Sequence, residues 1–319
     1  MRAVADLETR PGVSPPRIAI LLACFEGERW LGEQLKTLLA QRGVAVTVFA
    51  SVDPSCDGTE ALLRRAGMDD PRIVLLPVGE RFGGAALNFF RLFRDVDLAG
   101  YNYVALSDQD DVWSDTKLLR AHEVLQACNA AAYSSNVTAL WPSGRQALIH
   151  KAQPQRRWDF LFEAAGPGCT YVLCAGLALR FQALIRERWC DVRKVGLHDW
   201  FLYAFARAQG DDWVIDERPS MLYRQHADNQ VGVNRGLKAF RHRARKVLDG
   251  WAIEQAVLIS RLVGLGEDST VRRWFDGGRR GLLALAFNAR DCRRRHRDQL
   301  WFFGSCLVNA FRMRKFRSR

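Results

Sequence analysis

No stretch of this chain stays apolar for the ~18 residues that a membrane-spanning helix needs, so nothing in it reads as a span. Its eight cysteines (24, 56, 128, 169, 174, 190, 292 and 306) contain no C-x-x-C pair. Cys169 and Cys174 have no neighbouring histidine to complete a zinc pattern. The cysteines therefore read as buried thiols or small hydrophobes, and a reducing cytoplasm is the simplest setting. Residues 1–16 carry Arg2, Asp6, Glu8 and Arg10 without an apolar core. They lack the pattern of a secretory signal and read as a flexible lead ending at Pro15-Pro16. Internal repeats and low-complexity tracts are absent. So are helix-turn-helix, zinc-finger and RNA-binding signatures, and no nucleic-acid partner is expected despite the formal net charge of +12.

What is present is a chain of 319 residues, 48% of them hydrophobic, enough to bury a sizeable core. Arg17 to Cys24 is a nearly continuous apolar run, suited to a strand buried on both faces. Trp30, Leu31, Leu35, Leu38 and Leu39 then recur at helical spacing. Strand-like runs follow at Val44 to Val52, Arg72 to Leu76 and Tyr103 to Leu106, alternating with helical patterns at Thr59 to Arg65 and after Gly83-Gly84. Such alternation predicts right-handed βαβ units and a mainly parallel sheet. Further on, the pattern predicts a helix over Leu118 to Ala130, a strand over Ala131 to Ala139 and an apolar segment over Tyr171 to Leu179. A helix over Asp199 to Gln209 and a short strand at Trp213 to Ile215 come next. Near residue 235 the α/β pattern gives way to basic helices, in which Leu248, Trp251, Ala252, Ile259 and Leu262 share one face.

The sharpest local signal is Ser107-Asp108-Gln109-Asp110-Asp111-Val112-Trp113. Three carboxylates packed this closely repel one another and need a cation or a proton. Hard divalent cations such as Mg2+ or Mn2+ prefer carboxylate oxygens and share them with substrate phosphates. The cluster follows a strand, and in open α/β sheets ligands bind beyond the carboxyl ends of the strands. The competing reading is a solvated turn before a helix, since Ser114 and Asp115 suit an N-cap. The basic C-terminal third, with Arg272-Arg273, Arg279-Arg280, Arg293-Arg294-Arg295 and the tail 312–319, interleaves Trp301, Phe302, Phe303, Phe311 and Phe316. Two readings stay open for it: an ordinary helical face with a solvated tail, or a face for a membrane surface.

From about residue 17 to about residue 235 the chain resembles inverting family 2 glycosyltransferases of the type A fold, in particular bacterial rhamnosyltransferases. The resemblance is carried by Leu21-Leu22-Ala23-Cys24-Phe25-Glu26-Gly27, Asp53-Pro54-Ser55-Cys56-Asp57-Gly58-Thr59 and Asn88-Phe89-Phe90. It continues in the acidic segment, in His198-Asp199-Trp200, and in Tyr223-Arg224-Gln225-His226 with the following residues to Gly232. It implies one nucleotide-diphospho-sugar transferase domain, 17–235, with a mainly parallel central sheet, and a basic helical extension, 236–319. It implies a donor pocket from Ala23, Phe25, Glu26, Asp53, Asp108, Gln109, Arg224 and Gln225. Phe25-Glu26 stands where the family commonly has Tyr-Asn, and Val52-Asp53-Pro54-Ser55 departs from the usual acidic pair before Gly-Ser. Asp110 and His226 are the implied metal ligands, for Mn2+ or Mg2+, with Asp111 as a supporting carboxylate.

In this resemblance Asp199 is the catalytic base, because an inverting transfer needs a carboxylate to take the acceptor hydroxyl's proton. The alternative for His198-Asp199 is a helix N-cap. Trp113, Gly168, Cys169, His198 and Trp200 are the implied acceptor or sugar contacts, although core packing competes for both tryptophans. The implied reaction moves L-rhamnose from dTDP-L-rhamnose to a lipid-linked or lipopolysaccharide acceptor at the cytoplasmic face of the inner membrane. A UDP-hexose donor, a basic nucleic-acid-binding protein and a non-catalytic scaffold are the alternatives.

Overall fold

The computed structural model describes residues 14–226 and 250–312. The apolar run at the start forms β1 (Arg17–Cys24), whose residues after Arg17 are all buried. It lies in the interior of a seven-stranded sheet, paired along both edges, and its apolar run suits a strand covered on both faces. Beside it lie β2 (Ala45–Val52), β3 (Ile73–Leu75) and β4 (Tyr103–Ser107). The pairs β1–β2, β1–β4 and β2–β3 are parallel. Helices α1 (Glu28–Leu39), α2 (Thr59–Asp69) and α3 (Ala85–Asp95) make the crossovers. Register places Cys24 opposite Val52 and Leu22 opposite Ser107, so three strands end on one rim.

Just beyond that rim the chain leaves for a second sheet. β5 (Val112–Trp113) pairs antiparallel with β11 (Met221–Arg224), which continues to β7 (Val137–Leu140) and β8 (Gln146–Ile149). The acidic residues thus span the gap between the two sheets. Helix α4 (Lys117–Cys128) follows β5. The predicted strand over Ala131 to Ala139 is two strands, β6 (Ala132–Ser135) in the large sheet and β7 in the small one. Asn136 makes the corner: its side chain donates to Glu217 O and accepts from the backbone N–H groups of Lys151 and Ala152. The apolar Tyr171 to Leu179 segment also divides, into β9 (Val172–Cys174) and the start of α5 (Ala175–Glu187). β9 runs antiparallel between β4 and β6, which leaves the sheet mainly, not wholly, parallel. After the short α6 (Trp189–Val192), α7 (His198–Ala208) leads to β10 (Trp213–Asp216) on the sheet's edge beside β6.

Past the undescribed stretch come α8 (Trp251–Leu262), α9 (Ser269–Phe275), α10 (Gly278–Phe287), α11 (Ala289–Cys292) and α12 (His296–Arg312). α9 starts where Asp268 accepts from the N–H groups of Thr270 and Val271, satisfying two donors that a helix start leaves open. These helices share one hydrophobic cluster with the sheet. Leu282, Leu285 and Cys306 belong to the same buried set as Phe89, Phe201 and Leu173. Trp274 is fully buried with its ring 5.5 Å from Trp158 and 6.1 Å from Phe162. No described helix is long and apolar enough to cross a membrane. Leu248, the expected boundary near residue 235 and the motif residues 227–232 lie outside the described residues.

Candidate active site

The rim segment after β1 is held by side chains from its neighbours. Gln109 pairs with the backbone of Phe25 as a strand would, accepting from its N–H at 2.8 Å and donating to its carbonyl at 2.6 Å. A Cβ on Gly27 would stand 2.2 Å from the Gln109 side chain, so only glycine fits there. Glu26 adopts a left-handed backbone, φ 48°, and its carboxylate accepts from Cys56 N–H. A non-glycine residue in that region marks a constrained loop. Phe25 projects beyond it, half exposed, while Ala23 is buried at the strand's end. Asp53 is buried, and both of its oxygens are taken by the backbone N–H groups of Phe82, Gly83 and Gly84. Instead of presenting a carboxylate to a base, Asp53 fixes the turn that opens α3.

The acidic cluster lies between this loop and β11. Asp110 and Asp111 are buried and Asp108 half-buried. His226 Nε2 lies 2.6 Å from Asp110 Oδ2, and the His226 ring stacks 5.9 Å from that of Trp30. Arg224 donates from Nε to Asp110 O at 2.9 Å and pairs with Glu33 at 2.6 Å, its guanidinium lying 4.3 Å from the Trp30 ring. Gln225 is buried, and its amide is turned toward backbone carbonyls of Tyr223 and Arg224. Burial, with Asp110 and Asp199 nearby, pushes the Asp108 carboxyl up to about 7. Burial, then Asp110 and Asp108, raises Asp111 well above the carboxylate range. Asp111 Oδ2 has no hydrogen-bond partner among the described residues.

Such mutual repulsion calls for a cation, and the hard oxygen donors suit Mg2+ or Mn2+. Cys169 Sγ completes a group with Asp108 and Asp111 whose ligand atoms all lie within 4.8 Å. Burial raises the Cys169 thiol well above its ordinary value, so it is a protonated wall and a poor match for a hard cation. Cys169, expected on the acceptor side, is in fact packed against these carboxylates.

Asp199 sits in the first turn of α7, close enough for its charge to act on Asp108. Its Oδ1 accepts from Trp200 N–H at 2.8 Å, although the helix's capping position proper is Leu197. Burial pushes Asp199 up to about 6, opposed by that backbone bond and by Lys151. A carboxyl with that affinity is ionised near neutrality and still basic enough to take a proton. His198 stacks on Phe89 with centroids 4.1 Å apart, and burial drives its pKa down to about 3, so it is a neutral ring. Gly168 leaves room for both residues: a Cβ there would stand 2.4 Å from His198 Nε2 and 3.3 Å from Asp199 Cβ.

Two residues expected as sugar contacts are buried. Trp113 is 3% exposed, with the Lys117 ammonium 3.4 Å from its ring centroid. Trp200 is 5% exposed and its indole N–H donates to Phe160 O at 3.0 Å. Each ring is consumed by packing, because the alternation of their strand and helix turns them inward. The sequence reading also missed Lys117, which is fully buried beneath the cluster. Burial brings it down to about 7, opposed by Cys169 and Asp111. It missed Lys151 as well, whose pKa is lowered by burial and by Arg295 and Arg294, and raised by Glu163 and Asp199. Nothing in a lone lysine beside polar neighbours distinguishes it from a solvated one.

Against known proteins, the family model described as "Glycosyltransferase like family 2" matches residues 15–151. The chain is 41% identical over 291 residues to the dTDP-rhamnosyl transferase RfbG of Shigella flexneri, covering 91% of this chain and 100% of that protein. It is 28% identical over 131 residues to the succinoglycan biosynthesis protein ExoO of Rhizobium meliloti (strain 1021), covering 41% of this chain and 36% of that protein. Among solved structures, S. aureus TarS 1-349 in complex with UDP-GlcNAc superposes with a TM-score of 0.52 at 11% identity, covering 93% of this chain and 89% of that one. At that identity the likeness is one of fold.

Proposed function

Because this chain belongs to glycosyltransferase family 2, we propose that it transfers L-rhamnose, with inversion, from dTDP-L-rhamnose to a hydroxyl of a bacterial surface polysaccharide or lipopolysaccharide core. The observation that carries the reading is the meeting of Asp199, poised near neutrality, with the carboxylates of the β4 rim. The name of the Shigella relative supports the donor.

Asp110, with His226 Nε2 against its Oδ2, would hold the divalent cation, and Asp108 would face the donor beside it. When bound, the cation neutralises charge on the donor's diphosphate and on the departing nucleotide. Arg224 stands at the same edge, where a guanidinium can pair with phosphate oxygens. The Phe25–Gly27 loop, braced by Gln109, borders the nucleotide. On the other side Asp199 accepts the acceptor hydroxyl's proton as that oxygen attacks the anomeric carbon opposite the leaving diphosphate. Neutral His198 does not compete for this proton.

The acceptor is lipid-linked in this reading, and the enzyme works at the cytoplasmic face of the membrane. Supporting this, Phe287, Leu300, Trp301, Val308 and Phe311 are exposed on α10 and α12, among arginines such as Arg279, whose guanidinium lies 4.6 Å from the Phe311 ring. Co-sedimentation with vesicles of anionic lipid tests this part; a Trp301→Ala/Phe311→Ala double variant that binds as well as the parent would remove it. The donor is tested by calorimetric titration with dTDP and with UDP, each with Mn2+. The proposal expects dTDP to bind more tightly, and tighter UDP binding would instead favour a UDP-hexose donor. Duplex DNA binding with nanomolar affinity and steep salt dependence would point to the nucleic-acid alternative.

A further inference from the structure

The segment 158–165 is gripped from two sides. On one side stands the C-terminal region. Asp291 O accepts from Trp158 N–H at 2.8 Å, and Arg293 donates to Phe162 O at 2.7 Å. Arg294, only 6% exposed, donates from Nη2 to Ala164 O at 2.5 Å, and its backbone N–H donates to Glu163 at 2.7 Å. The Arg294 guanidinium also lies 3.4 Å from Asp159, which is fully buried. On the other side stands helix α7. Tyr203 donates to the Asp159 carboxylate, whose two oxygens lie at 3.1 and 3.2 Å. The Trp200 indole is tied to Phe160 O. Ala165 N–H donates to the Tyr171 hydroxyl at 2.9 Å, and that hydroxyl lies 3.3 Å from Asp199 O and from Gly166 O.

The bonds of the second side converge on the turn that carries Asp199. Its own carbonyl, the next residue's indole and the tyrosine one turn later are all tethered to 158–165. We propose that Arg294, from the helical region outside the sheet, is a positioning residue for Asp199, acting through Asp159, Ala164 and the Tyr171 hydroxyl. The proposal rests on Asp199 being the base. An arginine suits the place because its planar, preorganised fork meets a carbonyl and a carboxylate at fixed angles, whereas a lysine ammonium sits on a flexible stem. The pair is buried, so its geometry is set by the protein and not by solvent. The consequence is that the C-terminal helices complete the catalytic unit in addition to any role at a membrane.

The test uses the full chain and follows the slow hydrolysis of dTDP-L-rhamnose, in which water replaces the acceptor, as dTDP release. Because small misplacements of a reacting group are costly, Arg294→Lys is expected to lower kcat ~10–100-fold, and Tyr171→Phe ~10-fold. Both should leave the calorimetric affinity for dTDP with Mn2+ unchanged. Affinity and melting temperature falling together with kcat would mean a general loosening and would overturn the proposal, as would unchanged kcat in both folded variants. If Arg294→Lys does not fold, Tyr171→Phe decides, since it removes one hydroxyl and keeps the ring. Asp199→Asn in the same assay separates the two ideas. Retained hydrolysis in Asp199→Asn refutes the base; a dead Asp199→Asn beside wild-type rates in the other two refutes only the positioning.

Discussion

Replacing Asp199 by Asn should make the protein more stable and nearly inactive at the same time. The carboxyl's ordinary value of 3.8 rises to about 6, mainly through burial. At about 1.4 kcal/mol per tenfold change in proton affinity, the ionised form then costs the fold about 3 kcal/mol. That is an upper limit, because Asp199 is half-buried and part of the charge is screened by solvent. The folded state holds the extra proton between pH 3.8 and about 6, so stability from this group falls as pH rises through that window. Below pH 3.8 the acid is protonated in both states, and the variant gains nothing. Asn keeps the acceptor for Trp200 N–H. The expected gain at pH 8 is up to about 5 °C in melting temperature, from about 2 °C per kcal/mol for a chain of this size. Scanning calorimetry at pH 4 and pH 8 reads it. Turnover by the parent should rise with pH through about 6, and this limb should vanish in the variant. A variant less stable than the parent at pH 8, or a difference independent of pH, would refute a desolvated base at this position.

Gly168→Ala places a Cβ 2.4 Å from His198 Nε2, so stopped-time assays should show kcat down ~10–100-fold with dTDP affinity retained. Asp110→Ala frees His226 of its carboxylate partner and should abolish the Mn2+-dependent part of nucleotide binding in calorimetry, leaving any metal-free binding intact. Trp274→Ala empties a fully buried ring site between Trp158 and Phe162 and should cost about 3–5 kcal/mol in urea unfolding. A single unfolding transition in that experiment is expected, because the C-terminal helices and the sheet share one core.

The sheet was legible in the sequence because β1 is apolar after Arg17 and because Asp108 to Asp111 stand directly after β4. Asp199 was singled out by the resemblance, and the apolar helix expected from about that residue is α7, with Asp199 in its first turn. Other features depended on partners far away in the chain. Asn136 turns one apparent strand into two by bonding to Lys151 and Glu217, contacts that no local pattern signals. Trp113 and Trp200 look alike as sugar platforms or core residues until the chain closes over them. Lys117 reads as a surface lysine at a helix start, yet it is buried over Trp113. The change in composition near residue 235 marked a basic helical extension, but no local pattern signals that its Arg293 and Arg294 grip the segment behind α7.

In the proposed reaction one site holds the donor's diphosphate at the β4 rim and takes the acceptor's proton at Asp199. A crystal structure of Asp199→Asn with dTDP-L-rhamnose and Mn2+ tests it most directly. The diphosphate and metal are expected at Asp108 and Asp110, with the sugar's face opposite the diphosphate open toward residue 199. A nucleotide bound away from that rim, or residue 199 on the leaving-group side, would contradict it.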